Sequence, residues 1–174
     1  MPGTIYRFDM KALCDALEAG RQDRGLNWPD LAAEINVPFR GTPSLPISVG
    51  TIRTMRSKRS VTSAVVLQIL RWLGRSPESF LTERDVPPAP DEALPDPGPS
   101  RILRFDTRAM YAALDAERRA LGMTWTELAR DLPGFTASML TNLAAGPLIG
   151  FPRVMLLTQW LDRPAAHFVR GRSR

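Results

Sequence analysis

Two stretches of this chain repeat each other, and this repeat constrains the fold more than any other feature of the sequence. Residues 5–35 align with residues 102–132 without a gap, and 13 of these 31 positions are identical. Residues 48–81 then align with residues 136–169, and the first copy carries an insertion at 36–47. A repeat of this kind indicates two copies of one structural unit in a single chain.

A proline-rich segment, residues 86–100, separates the two copies. Six of its fifteen residues are proline and three are acidic. Such a segment favours extended backbone and cannot bury a core, so we expect a linker that reaches about 45 Å at about 3.1 Å per residue. The predicted organisation is a domain at 1–85, this linker, a second domain at 101–170 and a basic tail at 171–174.

Each copy is predicted to form about five short helices. Asp9 and Asn27 are placed to cap the first two helices of the first copy, and Thr124 and Glu127 form a capping-box pattern in the second. Residues 63–73 are nearly all apolar and are the expected core helix. Because no stretch alternates as a strand does over a useful length, the predicted fold class is all-α.

Composition excludes several classes of function. A single cysteine, Cys14, excludes an internal disulfide, and the single histidine, His167, has no carboxylate pair near it in sequence. We therefore predict that the protein is not an enzyme, and we expect no metal, no cofactor and no small-molecule ligand. The net charge of +5 and the pI of about 10.3 suggest a polyanionic partner.

The location of the protein is expected to be the cytoplasm. The first residues, MPGTIYRFDMK, contain no apolar signal core, and no apolar run approaches the length of a membrane span. We expect no membrane contact and, given the basic charge, association with the nucleoid.

Three segments together carry a resemblance to a known family: WPDLAAEI, ISVGTIRTMRSKRS and VLQILRWLGRSPESFL. They resemble the Cro and phage-repressor (XRE-type) helix-turn-helix family, and the resemblance extends over nearly all of both copies. It implies two tandem lambda-repressor-like helix-turn-helix bundles joined by the proline-rich linker. In this family the third helix enters the major groove of DNA, and its first residues contact base edges.

The resemblance implies that the segment 48–58 is a recognition helix. Arg53 is the strongest candidate for base contact, because a guanidinium donates two hydrogen bonds to guanine. Ser48 is expected to cap the helix and Thr51 to lie near a phosphate. The residues expected at DNA in the first copy are Arg40, Ser48, Val49, Gly50, Thr51, Arg53, Thr54, Arg56, Lys58 and Arg59.

The cations that end this helix, Arg56, Lys58 and Arg59, have two interpretations. They bind backbone phosphates, or they form a solvated helix end where cations offset the helix dipole. The role of Arg40 in the insertion is also open. It either reaches DNA or belongs to a loop that packs on its own domain through Phe39.

The corresponding segment of the second copy carries no charge between Phe135 and Gly150. The residues that align with the base-contacting positions of the first copy can still contact bases, since asparagine forms hydrogen bonds with adenine and alanine contacts the thymine methyl. Alternatively, this copy has lost DNA contact and serves dimerisation or the binding of a protein partner. The reading positions are Thr136, Ala137, Ser138, Thr141 and Asn142.

The function expected from these features is sequence-specific binding of double-stranded DNA by a transcriptional regulator, with repression as the expected outcome. The second domain would read an adjacent half-site, so that one chain recognises an asymmetric sequence. The alternative is a protein-interaction adaptor or a dimerising regulator, in which the second domain binds a protein or a second copy instead of DNA. The two functions differ in how strongly the binding affinity depends on salt concentration, because this dependence is steep for DNA binding.

Overall fold

The computed structural model describes residues 5–58, 61–81, 92–145 and 150–172, and it is mainly helical. We refer to the residues before 82 as the N-terminal half. Its elements are α1 (Met10–Asp23), α2 (Trp28–Ile35), a 3-10 turn (Val37–Phe39), α3 (Val49–Thr54), a 3-10 turn (Met55–Ser57), β1 (Val61–Thr62), α4 (Ser63–Leu73) and a 3-10 turn (Pro77–Phe80).

The C-terminal half comprises the residues after 100. Its elements are β2 (Ile102–Phe105), α5 (Thr107–Ala120), α6 (Trp125–Arg130), α7 (Ala137–Thr141), β3 (Gly150–Phe151), α8 (Arg153–Trp160), a 3-10 turn (Ala165–Phe168) and β4 (Val169–Arg172). Within the described ranges, no helix is long and apolar enough to cross a membrane.

Polar side chains start several of the helices, as the sequence indicated. The carboxylate of Asp9 accepts a hydrogen bond from the backbone N–H of Ala12 at 2.9 Å, and Asp106 accepts one from Ala109 at 3.0 Å. These bonds satisfy N–H groups that have no partner inside the helix. At its other end, α4 stops at Gly74, whose φ of 65° lies in the left-handed region that glycine adopts readily.

The prediction of an all-α fold is wrong, because the structure contains two small antiparallel sheets. Strand β2 pairs with β4, from Ile102 opposite Arg172 to Phe105 opposite Val169. Three of the four residues of β2 are buried, so the strand shows none of the alternation that marks a half-exposed strand. Its partner lies at the far end of the C-terminal half, where no alternating apolar pattern marks a strand.

The second sheet joins the two halves of the protein. Strand β1 pairs with β3, with Val61 opposite Phe151 and Thr62 opposite Gly150. The Phe151 ring packs against Phe8 of the N-terminal half at a centroid distance of 4.9 Å and against Phe105 at 5.8 Å. Residues of both halves therefore contribute to one hydrophobic core.

The prediction of two tandem lambda-repressor-like bundles joined by a linker is wrong as well. The structure has no clear tandem pattern, since the halves pair strands with each other and share their core. The sequence repeat shows that the two copies resemble each other residue by residue. It does not show whether the apolar face of one copy packs against the other copy.

Two buried glutamines hold the backbone of the opposite half. The Gln159 side chain on α8 accepts a hydrogen bond from the backbone N–H of Tyr6 and donates one to the carbonyl of Tyr6, both at 2.8 Å. The Gln68 side chain on α4 accepts a hydrogen bond from the backbone N–H of Leu103 at 3.4 Å and donates one to the carbonyl of Leu103 at 2.9 Å. Each amide thus satisfies buried peptide groups that have left water.

The described part of the proline-rich segment, residues 92–100, also contacts the folded protein. The Arg71 guanidinium on α4 donates to the carboxylate of Asp96 and to the carbonyl of Gly98, both at 3.0 Å. Leu94 packs against the core. This portion of the segment is therefore attached to the protein surface by polar and apolar contacts.

We expect Gln159→Met to destabilise the protein by about 2–4 kcal/mol, because it leaves the buried N–H and C=O of Tyr6 without partners. Gln22→Met on α1 is the matched control, since Gln22 is exposed, and we expect it to change the free energy of unfolding by no more than about 0.5 kcal/mol. Urea unfolding followed by circular dichroism measures both. Equal effects of the two substitutions would contradict the role assigned to the glutamine.

Candidate nucleic-acid interface

The insertion at 36–47 forms a loop whose ends are held together. The Asn36 side chain donates to the carbonyl of Ile47 and accepts from its backbone N–H, both at 2.8 Å. Phe39 is buried, whereas Arg40 is exposed. These two bonds close the loop at its base, between the end of α2 and the start of α3.

Helix α3 is short and anchored on one side. The Ser48 hydroxyl accepts a hydrogen bond from the backbone N–H of Thr51 at 3.1 Å, which caps the helix as expected. Ile52 and Met55 are buried, and Val49 is half-buried against the core. Val49 therefore divides its surface between the core and solvent.

The opposite side of α3 is exposed. Gly50, Arg53 and Thr54 all lie on it, as expected for positions i, i+3 and i+4 of a helix. The Thr54 hydroxyl donates to the carbonyl of Gly50 at 2.7 Å, which fixes its orientation. We call these three residues the exposed face of α3. It combines a guanidinium, a hydroxyl and a position without a side chain.

Three of the cations expected at DNA are exposed: Arg53 on α3, Lys58 after it and Arg40 in the insertion before it. Among the described residues, none of the three side chains makes a hydrogen bond or an ion pair. Arg56 differs, because it pairs with the carboxylate of Asp15 on α1. Arg59 lies outside the described residues.

Asp15 is a residue that the sequence reasoning missed. It lies on the exposed side of α1, and only the fold brings it to Arg56. Both side chains are about half exposed, so the ion pair contributes little stability, on the order of 0–1 kcal/mol. Its effect on the site is electrostatic, since one carboxylate neutralises one of the cations at the end of α3.

Helix α7 presents a neutral surface. The Thr136 hydroxyl caps it by accepting from the backbone N–H of Met139 at 3.2 Å. Ser138, Thr141 and Asn142 are exposed, and the Asn142 amide donates to the Ser138 hydroxyl at 3.3 Å. Ala137 is half-buried. The residues that the resemblance assigned to base contact are thus mostly at the surface here too, without a cation among them.

A groove of about 500 Å³ opens beside α6 in the C-terminal half. Leu121 and Met123 line it together with Asp131, whose carboxylate accepts from the Trp160 indole N–H at 3.4 Å. Leu121 is 45% exposed. This groove was also missed, although the alignment of the two copies contains a signal for it, since Leu121 aligns with Arg24.

The aligned region of the N-terminal half is filled by that arginine. The Arg24 guanidinium lies over the Trp72 ring, 4.7 Å from its centroid, and pairs with Glu34 at 3.0 Å. Glu34 also accepts from the Trp72 indole at 2.8 Å. The same tryptophan–carboxylate contact therefore occurs in both halves, but only the N-terminal half adds an arginine to it.

No group of three or more metal-ligating side chains converges within the described ranges. Comparison with protein-family models, curated proteins and solved structures gives no match to this chain.

The capping box that starts α6 has a consequence for acid stability. The backbone N–H of Thr124 donates to Glu127 at 2.7 Å and, with a smaller contribution from the Thr124 hydroxyl, lowers the pKa of that carboxylate below its usual 4.5. A lowered pKa contributes stability that is fully present above 4.5 and is lost as the pH falls through the folded-state pKa.

We expect Glu127→Gln to remove this contribution, so that the melting temperature of the variant falls less than that of the wild type between about pH 6 and about pH 3. Glutamine keeps an oxygen that accepts the Thr124 N–H, so the helix start is preserved. Glu117→Gln on the exposed surface of α5 is the control and should follow the wild-type profile. An unchanged profile for Glu127→Gln would refute the assignment.

Proposed function

We propose that the protein is a sequence-specific double-stranded DNA-binding regulator of transcription, with α3 in the major groove. The observation that carries this proposal is the exposed face of α3, on which Arg53 makes no hydrogen bond or ion pair with any described residue. The exposed Lys58, which follows this helix in the chain, makes none with the described residues either. The resemblance of the sequence to the Cro and phage-repressor family supports the same role for this helix. Such a protein acts as a repressor at the nucleoid when its site overlaps a promoter.

The chemistry of each residue suits a different part of DNA. Arg53 is able to donate two hydrogen bonds to O6 and N7 of guanine, which discriminates that base by about 1–3 kcal/mol. Gly50 lets the helix approach the bases closely, since no side chain intervenes. Lys58, which follows the helix, and Arg40, in the insertion before it, carry the positive charge that backbone phosphates bind, and such contacts fix register without reading sequence.

Helix α7 supplies the second reading surface in this proposal. The Asn142 amide and the Ser138 hydroxyl provide both donors and acceptors for base edges. Because α7 has no cation, its half-site adds specificity and contributes little to the electrostatic part of the affinity. The complete site is therefore asymmetric.

A protein-interaction adaptor is the second candidate function, and the groove beside α6 favours it. Leu121 and Met123 form its apolar part, and Asp131 offers a carboxylate where the N-terminal half binds the guanidinium of Arg24. A partner that inserts an arginine would reproduce the Arg24–Glu34 ion pair. Leu121→Arg fills the groove from within the chain and would prevent such binding without altering α3.

We expect Arg53→Ala to weaken binding to the preferred duplex by about 1–3 kcal/mol and to abolish discrimination at one base pair. Arg108→Ala on α5 removes the same charge outside α3 and is the control. Fluorescence anisotropy with duplexes varied one base pair at a time measures both effects. Wild-type affinity and specificity for Arg53→Ala would show that α3 does not read the sequence.

Breaking the Arg56–Asp15 ion pair is expected to strengthen DNA binding, whereas Arg53→Ala is expected to weaken it. We expect Asp15→Asn to tighten DNA binding by about 2–5-fold and to steepen the dependence of log K on log salt by up to about one unit, because it frees a cation for a phosphate. Asp23→Asn on the same helix makes an equal change in net charge and is the control. If the two variants bind alike, Arg56 lies away from the phosphates.

A further inference from the structure

The ends of helices α1 and α5 have the same local structure. Arg24 follows α1 with φ −91° and ψ −1°, and Leu121 follows α5 with φ −87° and ψ −3°. A glycine in the left-handed region comes next in both places, Gly25 with φ 64° and Gly122 with φ 66°. The side chains of Arg24 and Leu121 therefore leave the backbone at equivalent positions of the two helix ends.

The contacts one turn before these positions match as well. The Arg21 guanidinium on α1 lies 4.8 Å from the centroid of the Trp28 ring. The Arg118 guanidinium on α5 lies 4.7 Å from the centroid of the Trp125 ring. Locally, the end of α1 is thus a template for the end of α5.

The template contains an ion pair of which the C-terminal half keeps only the acid. Glu34 binds the guanidinium of Arg24 at 3.0 Å and the indole N–H of Trp72 at 2.8 Å. The aligned Asp131 carboxylate likewise accepts from the indole N–H of Trp160, at 3.4 Å. Among the described residues, however, Asp131 forms no ion pair, and a leucine occupies the position of the arginine.

The groove of about 500 Å³ beside α6 lies where the template holds its arginine, since the Leu121 and Asp131 side chains both line it. Leu121 and Met123 supply an apolar surface. Glu127 adds a second carboxylate, and Arg130 is the one cation among the lining residues. An apolar surface beside an excess of carboxylate suits a side chain with an aliphatic stem and a cationic head.

We propose that this groove binds an arginine side chain presented by a partner protein. Its guanidinium pairs with Asp131, and its methylene groups pack on Leu121 and Met123. Arginine is preferred over lysine because its planar head donates several hydrogen bonds in a fixed geometry. This inference rests on the second candidate function, the protein-interaction adaptor, and is independent of DNA binding by α3.

A side chain carried by a protein suits this groove better than a free small molecule does. Small-molecule sites enclose most of the surface of their ligand. This groove is open, and Leu121 in its wall is 45% exposed. A partner protein supplies the remaining contacts around the groove, as the chain itself does around Arg24.

The test titrates the full chain with the capped tripeptide acetyl-Ala-Arg-Ala-amide and follows the indole N–H resonance of Trp160 by NMR. This N–H donates to Asp131, so it reports directly on a guanidinium that binds there. We expect a saturable shift with a dissociation constant of about 1–10 mM, because a single side chain buries little surface. The lysine tripeptide should bind at least about threefold more weakly. The citrulline tripeptide, which has nearly the same shape without the charge, should give no saturable shift.

Two substitutions in the groove should abolish binding of the arginine tripeptide. Leu121→Arg places a guanidinium in the groove from the chain itself. Asp131→Asn removes the charge but keeps an oxygen that accepts from the Trp160 indole. Asp23→Asn, an equal change in charge at an exposed position of α1, is the control and should bind the tripeptide like the wild type.

The absence of a saturable Trp160 shift, or an equal shift with the citrulline tripeptide, would overturn the proposal. Binding retained by Leu121→Arg or by Asp131→Asn would place the guanidinium elsewhere and overturn it too. Tighter binding of free L-arginine than of the capped tripeptide would overturn the partner protein as occupant and indicate a small-molecule site. None of these results bears on α3, whose DNA binding is measured with duplexes and Arg53→Ala.

Discussion

Hydrogen bonds from two buried glutamines to the backbone of the opposite half hold this protein together as one unit. Each side chain amide offers a donor and an acceptor, as a neighbouring strand would, and Gln68 and Gln159 use both on a single residue across the interface. Leaving either pair of peptide groups unsatisfied would cost about 1–3 kcal/mol for each group, a large fraction of the 5–15 kcal/mol that stabilises a typical domain. Around these bonds, Phe8, Phe105 and Phe151 complete an apolar core that belongs to neither half alone.

The same use of an amide recurs at the surface, where it shapes the candidate site. Asn36 closes the insertion by binding both backbone groups of Ile47, and the helix that follows is presented with its cap in place. Charge then distinguishes the two exposed helices. Among the described residues, Arg53 on α3 has no hydrogen-bonding or ionic partner, whereas the exposed residues at α7 are uncharged: Ser138, Thr141 and Asn142. Under the proposed function, one cationic and one neutral surface would suit an asymmetric duplex better than a symmetric one.

Local features of the fold were predictable from the sequence because they depend on neighbouring residues. The caps at Asp9, Ser48 and Thr124 are where the sequence placed them, since capping involves residues within one turn. The strands were not predictable, because β2 is short, mostly buried and paired with a distant segment. Nor were the roles of Gln68 and Gln159, which look like ordinary polar positions on helices. In the candidate site, the outward position of Arg53 follows from helical spacing, but the pairing of Arg56 with Asp15 depends on how α1 packs and no local pattern reveals it.

The shared core predicts that α3 and α7 keep a fixed distance and orientation relative to each other in the free protein. The most direct test is a distance measurement by double electron–electron resonance between spin labels at Thr54→Cys and Ser138→Cys, in a Cys14→Ala background. Both label positions are exposed, so the labels should not disturb the core. The shared core predicts one narrow distance distribution that stays the same when DNA is added. A broad distribution in the free protein, or one that sharpens only on binding, would contradict the claim and would mean that the halves move independently.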